Sequence, residues 1–316
     1  MGTDTFGKAL IERVRAEYGT DEFIPLHAPQ LGERERELVA DAVESQFVSS
    51  VGRYVGEFER AVADYTGAPF AIGTMNGTAA LHLCLVLAGV RRDEEVITQA
   101  VTFVATCNAI SYCHAHPVLV DIDRDTLGMS ADSLQAWLEE NAERGDDGLC
   151  RNRRTGRVIR ACVPMHSFGH PVRIERIAEI CRHWGLVLIE DAAESLGSFY
   201  QGEHTGLVGD LAALSFNGNK IITTGGGGMI LTRDAGLAER ARHLSTTAKT
   251  PHRWHYRHDE IGYNYRLPAL NAALGCAQME SLGRFVAVKR ELAARYREWF
   301  AETDYEFFVE PEGAES

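Results

Sequence analysis

Helix-like and strand-like segments alternate from about residue 30 onward, which predicts an α/β chain built as a three-layer, mostly parallel sheet. Two observations carry that expectation. The apolar runs at 95–98, 117–121, 157–163, 186–190, 211–216 and 229–232 are short, bounded by turn residues, and continuously hydrophobic rather than alternating. Strands of that kind are covered on both faces. Between several of them lie helical stretches, at 104–114, 130–143 and 174–184. The length of 316 residues, 45% of them hydrophobic, allows one large core and part of a second.

Before the first strand, 33–46 and 54–65 read as amphipathic helices, and 76–88 as an almost wholly apolar and therefore buried one. The polar stretch 141–157, with Asp146-Asp147-Gly148 and a basic run from Arg151 to Arg154, reads as an exposed excursion. After residue 268 the pattern turns helical, with Pro268 suited to a first turn and two helices expected at 269–282 and 284–301. No internal repeat is evident. In such sheets ligands gather beyond the carboxyl ends of the strands, and Asp121, Asp191 and Ser215 all fall at or just past such ends.

A formal charge of −13 argues against nucleic-acid and membrane-surface binding, which need a contiguous basic face. It leaves room for a phosphate held locally by backbone amides. The seven cysteines are odd in number, scattered, and never spaced Cys-x-x-Cys, so reduced thiols and a cytoplasmic location are expected. The amino terminus, from Met1 to Phe6, carries no secretory pattern and no myristoylation signal. No apolar run is long enough to span a membrane.

Three segments carry chemistry. Val187-Leu-Ile-Glu-Asp191-Ala-Ala-Glu194 ends a buried strand in a carboxylate, either a helix cap or a partner for a cationic ring nitrogen or a metal. Ala213-Leu-Ser215-Phe-Asn-Gly-Asn-Lys220 places a lone lysine between apolar segments, which suits a Schiff-base nucleophile because burial disfavours the ammonium form. The glycines 225–228 that follow suit a flexible hairpin or a close backbone approach to the lysine. They do not have the spacing of a nucleotide-triphosphate loop. Gly73-Thr-Met-Asn-Gly77-Thr78 opens the buried helix with small residues, which suits a phosphate or ordinary capping by Asn76 or Thr78. A phosphate cup, a carboxylate for a pyridine nitrogen and a buried lysine are together the parts that pyridoxal 5'-phosphate (PLP) requires.

The order Asn-Gly-Thr-Ala-Ala-Leu, Thr102-Phe103, Glu-Asp-Ala-Ala-Glu, Ser-Phe-x-x-x-Lys and Gly262-Tyr-Asn264-Tyr-Arg266 closely resembles the fold-type I sugar aminotransferases of the DegT/StrS kind, over nearly the whole chain from Ile24. The resemblance implies a PLP enzyme in which Lys220 forms the Schiff base and shuttles a proton, while Asp191 pairs with the pyridine nitrogen. It implies Phe103 stacked on the ring, Glu194 near its 3-hydroxyl, and Gly77, Thr78 and Ser215 on the phosphate. Asn264 would reach the phosphate of a neighbouring subunit, so a homodimer with shared active sites is expected. The runs 48–52, 98–112, 164–171 and 215–225 resemble a branch that aminates UDP-linked 4-keto-6-deoxy-N-acetylhexosamines at carbon 4, toward bacillosamine or legionaminic acid, with glutamate as donor. An aminotransferase for a different nucleotide-linked keto-sugar is the nearby alternative. Members of the family continue several dozen residues past Ser316. Residues 1–283 are therefore expected to form the large PLP domain with its N-terminal helices, and 284–316 the start of a truncated small domain.

Other signals have plainer readings. The tract from His252 to His258 looks metal-binding, but its arginines repel a cation, and a loop at the active site or dimer seam fits better; no metal is expected. Cys113-His-Ala-His116 fits a helix end, where the dipole favours histidine. His166 follows a strand near the ligand edge, and no catalytic role is assigned to it. Against the aminotransferase stand a non-catalytic PLP-binding sensor, disfavoured by the joint presence of Lys220 and Asp191, and a keto-sugar dehydratase, whose Schiff-base lysine is replaced by histidine.

Overall fold

The computed structural model describes residues 3–316. Met1 and Gly2, on which part of the amino-terminal reading rests, lie outside the described residues. In chain order come α1 (Thr3–Tyr18), α2 (Glu33–Glu44), α3 (Arg53–Thr66), β1 (Phe70–Thr74), α4 (Gly77–Leu87), β2 (Glu95–Gln99), α5 (Val104–Tyr112), β3 (His116–Val120) and α6 (Ala131–Asn141). A small hairpin of β4 (Ala142–Arg144) and β5 (Cys150–Asn152) precedes β6 (Ile159–Val163), α7 (Ile174–Trp184) and β7 (Val187–Asp191). Then follow β8 (Phe199–Tyr200), β9 (Glu203–His204), β10 (Leu211–Ser215), β11 (Gly228–Thr232), α8 (Ala235–Ser245), α9 (Ala269–Phe300) and β12 (Ala314–Glu315).

Seven strands form the central sheet in the order β1-β11-β10-β7-β6-β2-β3. β11 runs antiparallel to both neighbours and the other pairings are parallel, so the carboxyl ends of six strands share one edge. Both faces are covered. Along β10, Leu211 and Ala213 pack into a cluster with Leu81 and Leu83 of α4 and Leu244 of α8, while Ala212 and Leu214 pack with Phe58 of α3 and Ala272 of α9. The period of two that sends alternate side chains to opposite faces is why these strands read as unbroken apolar runs. α6 and α7 cover the remainder of the second face through Leu134, Leu138, Ile177 and Cys181.

The three-layer α/β expectation holds, and four local expectations change. A strand, β1, precedes the phosphate-type turn, so Gly73 and Thr74 belong to the sheet rather than to the helix start. The excursion at 141–157 contains the β4–β5 hairpin, tied to β2 by the buried Asn152 amide donating to Glu95 at 2.8 Å. α1 and α8 are two further helices. The two helices expected after residue 268 are one 32-residue helix, with Gly283 inside it. A glycine there costs about 1 kcal/mol relative to alanine. Burial of Ala272, Ala273 and Ala277 against α3 and the sheet outweighs it.

Candidate active site

The carboxylate end of the site is closed. β7 delivers Asp191 at its last position, where its N–H donates to Pro164 O at 2.9 Å and its carbonyl accepts from His166 N at 3.1 Å. Its side chain is buried, at 2% exposure for the residue. Thr106 Oγ1 donates to Asp191 Oδ2 at 2.6 Å, and Ala193 N donates to Oδ1 at 3.3 Å. Burial pushes the Asp191 carboxyl above the usual carboxylate range, opposed by those two hydrogen bonds and by the nearby Lys220. No helix follows Asp191, which excludes the helix-cap reading. It makes no ion pair among the described residues, so a cationic N–H donor would complete its surroundings, as the protonated nitrogen of a pyridine does.

The same threonine joins this carboxylate to the loop ahead of α5. Thr106 and Thr102 hydroxyls lie 2.9 Å apart, and Phe103, 66% exposed, caps α5. Thr102 is visible in the sequence only through the Thr102-Phe103 motif, and Thr106 gave no signal there. Gln99 was equally silent, yet its buried amide oxygen accepts from Met129 N and Met165 N, both at 2.9 Å, and fixes the ends of β2 and β6. The one available signal was a polar side chain closing an otherwise apolar strand.

The phosphate-type turn is held by glycine on two sides. Asn76 Oδ1 accepts from Ala79 N at 2.8 Å and Asn76 O from Ala80 N at 3.1 Å, which leaves the Gly77 and Thr78 amides as the orphan donors of α4. A Cβ on Gly77 would stand 2.8 Å from Ser215 Cβ, and one on Gly228 would stand 2.5 Å from the Asn76 carbonyl carbon. The approach made by Gly228 is therefore to this turn. Gly228 thus serves the backbone of this turn, where a flexible hairpin or a close approach to the lysine was expected of the glycine run. Orphan amides at a helix start, a hydroxyl at Ser215 and a buried carboxylate fit the phosphate and ring nitrogen of PLP.

The lysine end is open. The segment after β10 turns back through Lys220 N to Asn217 O at 3.0 Å, and Thr224 N to Phe216 O at 3.0 Å. Lys220 Nζ lies 2.7 Å from Glu194 Oε1, so the two predicted residues meet. The lysine lines a cavity of about 280 Å³ shared with Glu194, and a second of about 710 Å³ against the segment after α1. Asn264 stands apart. It is exposed, accepts from Arg266 at 3.2 Å, and bridges to Thr246, with no contact to the other predicted residues of its own chain.

His166 is fully buried. Its Nδ1 accepts from Val172 N at 3.3 Å, so its Nε2 carries the proton donated to Glu190 Oε2 at 2.9 Å. Burial alone would raise Glu190, but His166 and the amides of Gly206 and Gly209 hold it below the ordinary value. This pair braces β7 behind Asp191. In the histidine tract, Trp254 and Tyr256 are exposed, and the His252 and His255 rings lie 4.3 Å apart at a tilt of 47°. His114 and His116 follow α5 into β3 as expected, with His116 3.4 Å from Asp93. Among the described residues, only His243, Asp259 and Glu260 gather potential metal ligands, within 4.8 Å of one another. His243 pairs with Asp259 and Arg240 with Glu260, so those acids already have cations.

Residues 29–315 match the DegT/DnrJ/EryC1/StrS aminotransferase family. The chain is 39% identical over 278 residues to a GDP-perosamine synthase of Caulobacter vibrioides, covering 88% of this chain and 70% of that one. An aminotransferase, TlmJ, from Streptoalloteichus hindustanus superposes with a TM-score of 0.83 at 31% identity, covering 93% of this chain and 76% of that one. A putative sugar aminotransferase, Spr1654, from Streptococcus pneumoniae in its PLP form gives 0.81 at 25% identity, covering 93% and 76%. No helix among the described residues is long and apolar enough to cross a membrane. With a buried carboxylate, a paired lysine and an open phosphate turn on one sheet edge, the chain belongs to the DegT/DnrJ/EryC1/StrS family and is a PLP-dependent sugar aminotransferase.

Proposed function

We propose that this protein moves an amino group from glutamate to carbon 4 of a nucleotide-linked 4-keto-6-deoxy sugar, working as a homodimer. The observation that carries the reading is the Lys220 amine, paired with Glu194 and lining both cavities, on the same sheet edge as the closed Asp191 carboxylate. When bound, PLP supplies an electron sink for the carbon that loses or gains a proton. Asp191 would hold the positive charge of the ring nitrogen in place, and Gly77, Thr78 and Ser215 would hold the phosphate. Phe103 would lie against the ring. Lys220 takes the proton from the donor's α-carbon and returns it to the sugar's carbon 4 on one face. Glu194 keeps the amine oriented. Asn264, exposed and facing none of its own chain's site residues, is suited to the phosphate of a second copy.

Two nucleotide readings stand side by side. The runs at 98–112 and 215–225 favour a UDP-linked N-acetylhexosamine, whereas the 39%-identical relative bears the name GDP-perosamine synthase and favours a GDP-linked acceptor. We take the GDP-linked sugar as the first substrate to try. Protein loaded with PLP should show a visible absorption band that glutamate removes, and Lys220→Ala should lack that response. Amination of GDP-linked but not UDP-linked 4-keto-6-deoxy sugar, followed by mass spectrometry, supports the first reading, and the reverse supports the second. A band unchanged by glutamate would sink the donor assignment, and no amination of either sugar would sink the acceptor class.

A further inference from the structure

We propose that the larger cavity beside Lys220 receives the nucleoside diphosphate half of the sugar substrate, with Lys289 and Arg284 on the phosphates and Tyr18, Phe23 and Phe285 along the base and ribose. The inference rests on the nucleotide-sugar reading above and adds the place where the nucleotide lies.

The cavity, of about 710 Å³, lies between the segment after α1 and one face of α9. Arg284, Phe285, Val288 and Lys289 share that face because positions i, i+1, i+4 and i+5 stack along a helix. Its walls include Lys220, Arg284 and Lys289 but no aspartate or glutamate, in a chain whose formal charge is −13. Positive lining is not general to this protein. The cavity of about 650 Å³ beside α8 also holds arginines, but Glu59, Glu239 and Asp259 line it with them, and Arg242 pairs with Glu59 at 2.8 Å.

Lys289 makes no hydrogen bond or ion pair among the described residues, whereas Arg290 and Arg295 on the same helix face acids, Arg295 pairing with Glu17 at 2.7 Å. Burial, and then the charge of Lys289, push His27 below its ordinary value. Besides Lys220 and Ile221, His27 and Lys289 are the residues common to both cavities at the lysine. A cation left unpaired at the boundary between the reacting amine and a roomy apolar chamber suits a diphosphate whose sugar points to Lys220. Arg284 uses one nitrogen on Gln30 Oε1 at 3.1 Å, lies over the Phe285 ring at 4.7 Å, and keeps its remaining donors for an anion. Volume and wall chemistry favour a nucleotide over glutamate, which has neither a base to place on aromatic rings nor the bulk to fill the chamber.

The test is calorimetric titration of the PLP-loaded protein with GDP, UDP, inorganic pyrophosphate and glutamate, for wild type, Lys289→Glu and Arg284→Gln, with thermal melts to confirm folding. GDP or UDP should bind wild type more tightly than pyrophosphate does, and each substitution should weaken that nucleotide about tenfold or more. Nucleotide affinity unchanged in both variants overturns the proposal. So does pyrophosphate binding as tightly as the nucleotides, since the aromatic walls would then have no occupant. Loss of glutamate with the nucleotide retained gives the cavity to the donor's carboxylates and overturns it too. The nucleotide-sugar reading fails separately: neither sugar is then aminated, whatever these titrations return.

Discussion

The two ends of this site are built on opposite terms. Around Asp191 nearly every polar group has a partner inside the protein, from Thr106 on its carboxylate to the His166–Glu190 pair behind its strand. Around Lys220 the partners run out: Glu194 takes the amine, two cavities open beside it, and Lys289 has no partner among the described residues. A carboxylate that must favour one protonation state of a cofactor gains from a fixed, dry setting. An amine that must meet two different substrates in turn gains from space. The closed end is assembled from the sheet, and the open end from the later part of α9 and the segment after α1.

Substitutions should separate the two ends. Lys220→Ala is expected to lower turnover by about 10³-fold or more while PLP still binds through the phosphate turn, read from initial rates and from cofactor retained after gel filtration. Retention of near-wild-type rates would remove the lysine from the chemistry.

His204 tests the closed end by pH. It is buried against Tyr65 and Phe199 with neither ring nitrogen bonded, and burial lowers its pKa from 6.5 to about 4. The folded protein thus keeps it neutral where the unfolded chain takes a proton. Its contribution is complete above pH 6.5, fades as pH falls, and is lost below 4, about 3 kcal/mol in all. His204→Leu should flatten the acid limb of a denaturation-versus-pH series with little change at neutral pH. An unaltered acid limb would assign the sensitivity elsewhere.

Gly228→Ala forces a Cβ against the Asn76–Gly77 backbone, and a loss of about 2 kcal/mol in stability with weaker PLP binding is expected in melts with and without cofactor. Thr106→Val keeps the shape but removes the 2.6 Å donor to Asp191. The carboxyl pKa should rise further, moving the acid limb of the pH–rate profile to higher pH and lowering kcat about tenfold. An acid limb left in place would make Thr106 a packing residue only.

Much of the site was legible in the sequence because its signals are local. A continuously apolar strand ending in Asp191, an Asn-Gly-Thr turn opening an apolar helix, and a lysine after Ser215 each declare themselves within ten residues. What stayed hidden depends on distance. Thr106 meets Asp191 across 85 positions, and Gln278, buried in α9, accepts from Thr223 N at 3.3 Å and donates to Gln30 O at 3.0 Å. No periodicity announces such partners. β1 escaped because it is only five residues long and its last two, Gly73 and Thr74, read as part of the turn they feed. The break expected at Gly283 failed for a different reason, since propensity weighs one residue and tertiary packing weighs the whole helix.

The unbroken α9 has a consequence for how this chain can vary. Its first half is locked by Gly275, whose Cα lies so close to the Phe58 ring that a Cβ would stand 2.7 Å from it. Lys289 takes its heading from that anchor through thirteen intervening residues of continuous helix. One residue inserted or deleted between them would swing every later side chain by about 100° and shift it about 1.5 Å along the axis. Composition in this stretch is free to drift, but its count of residues is not: the helix works as a fixed-pitch screw, and its thread decides what faces the lysine.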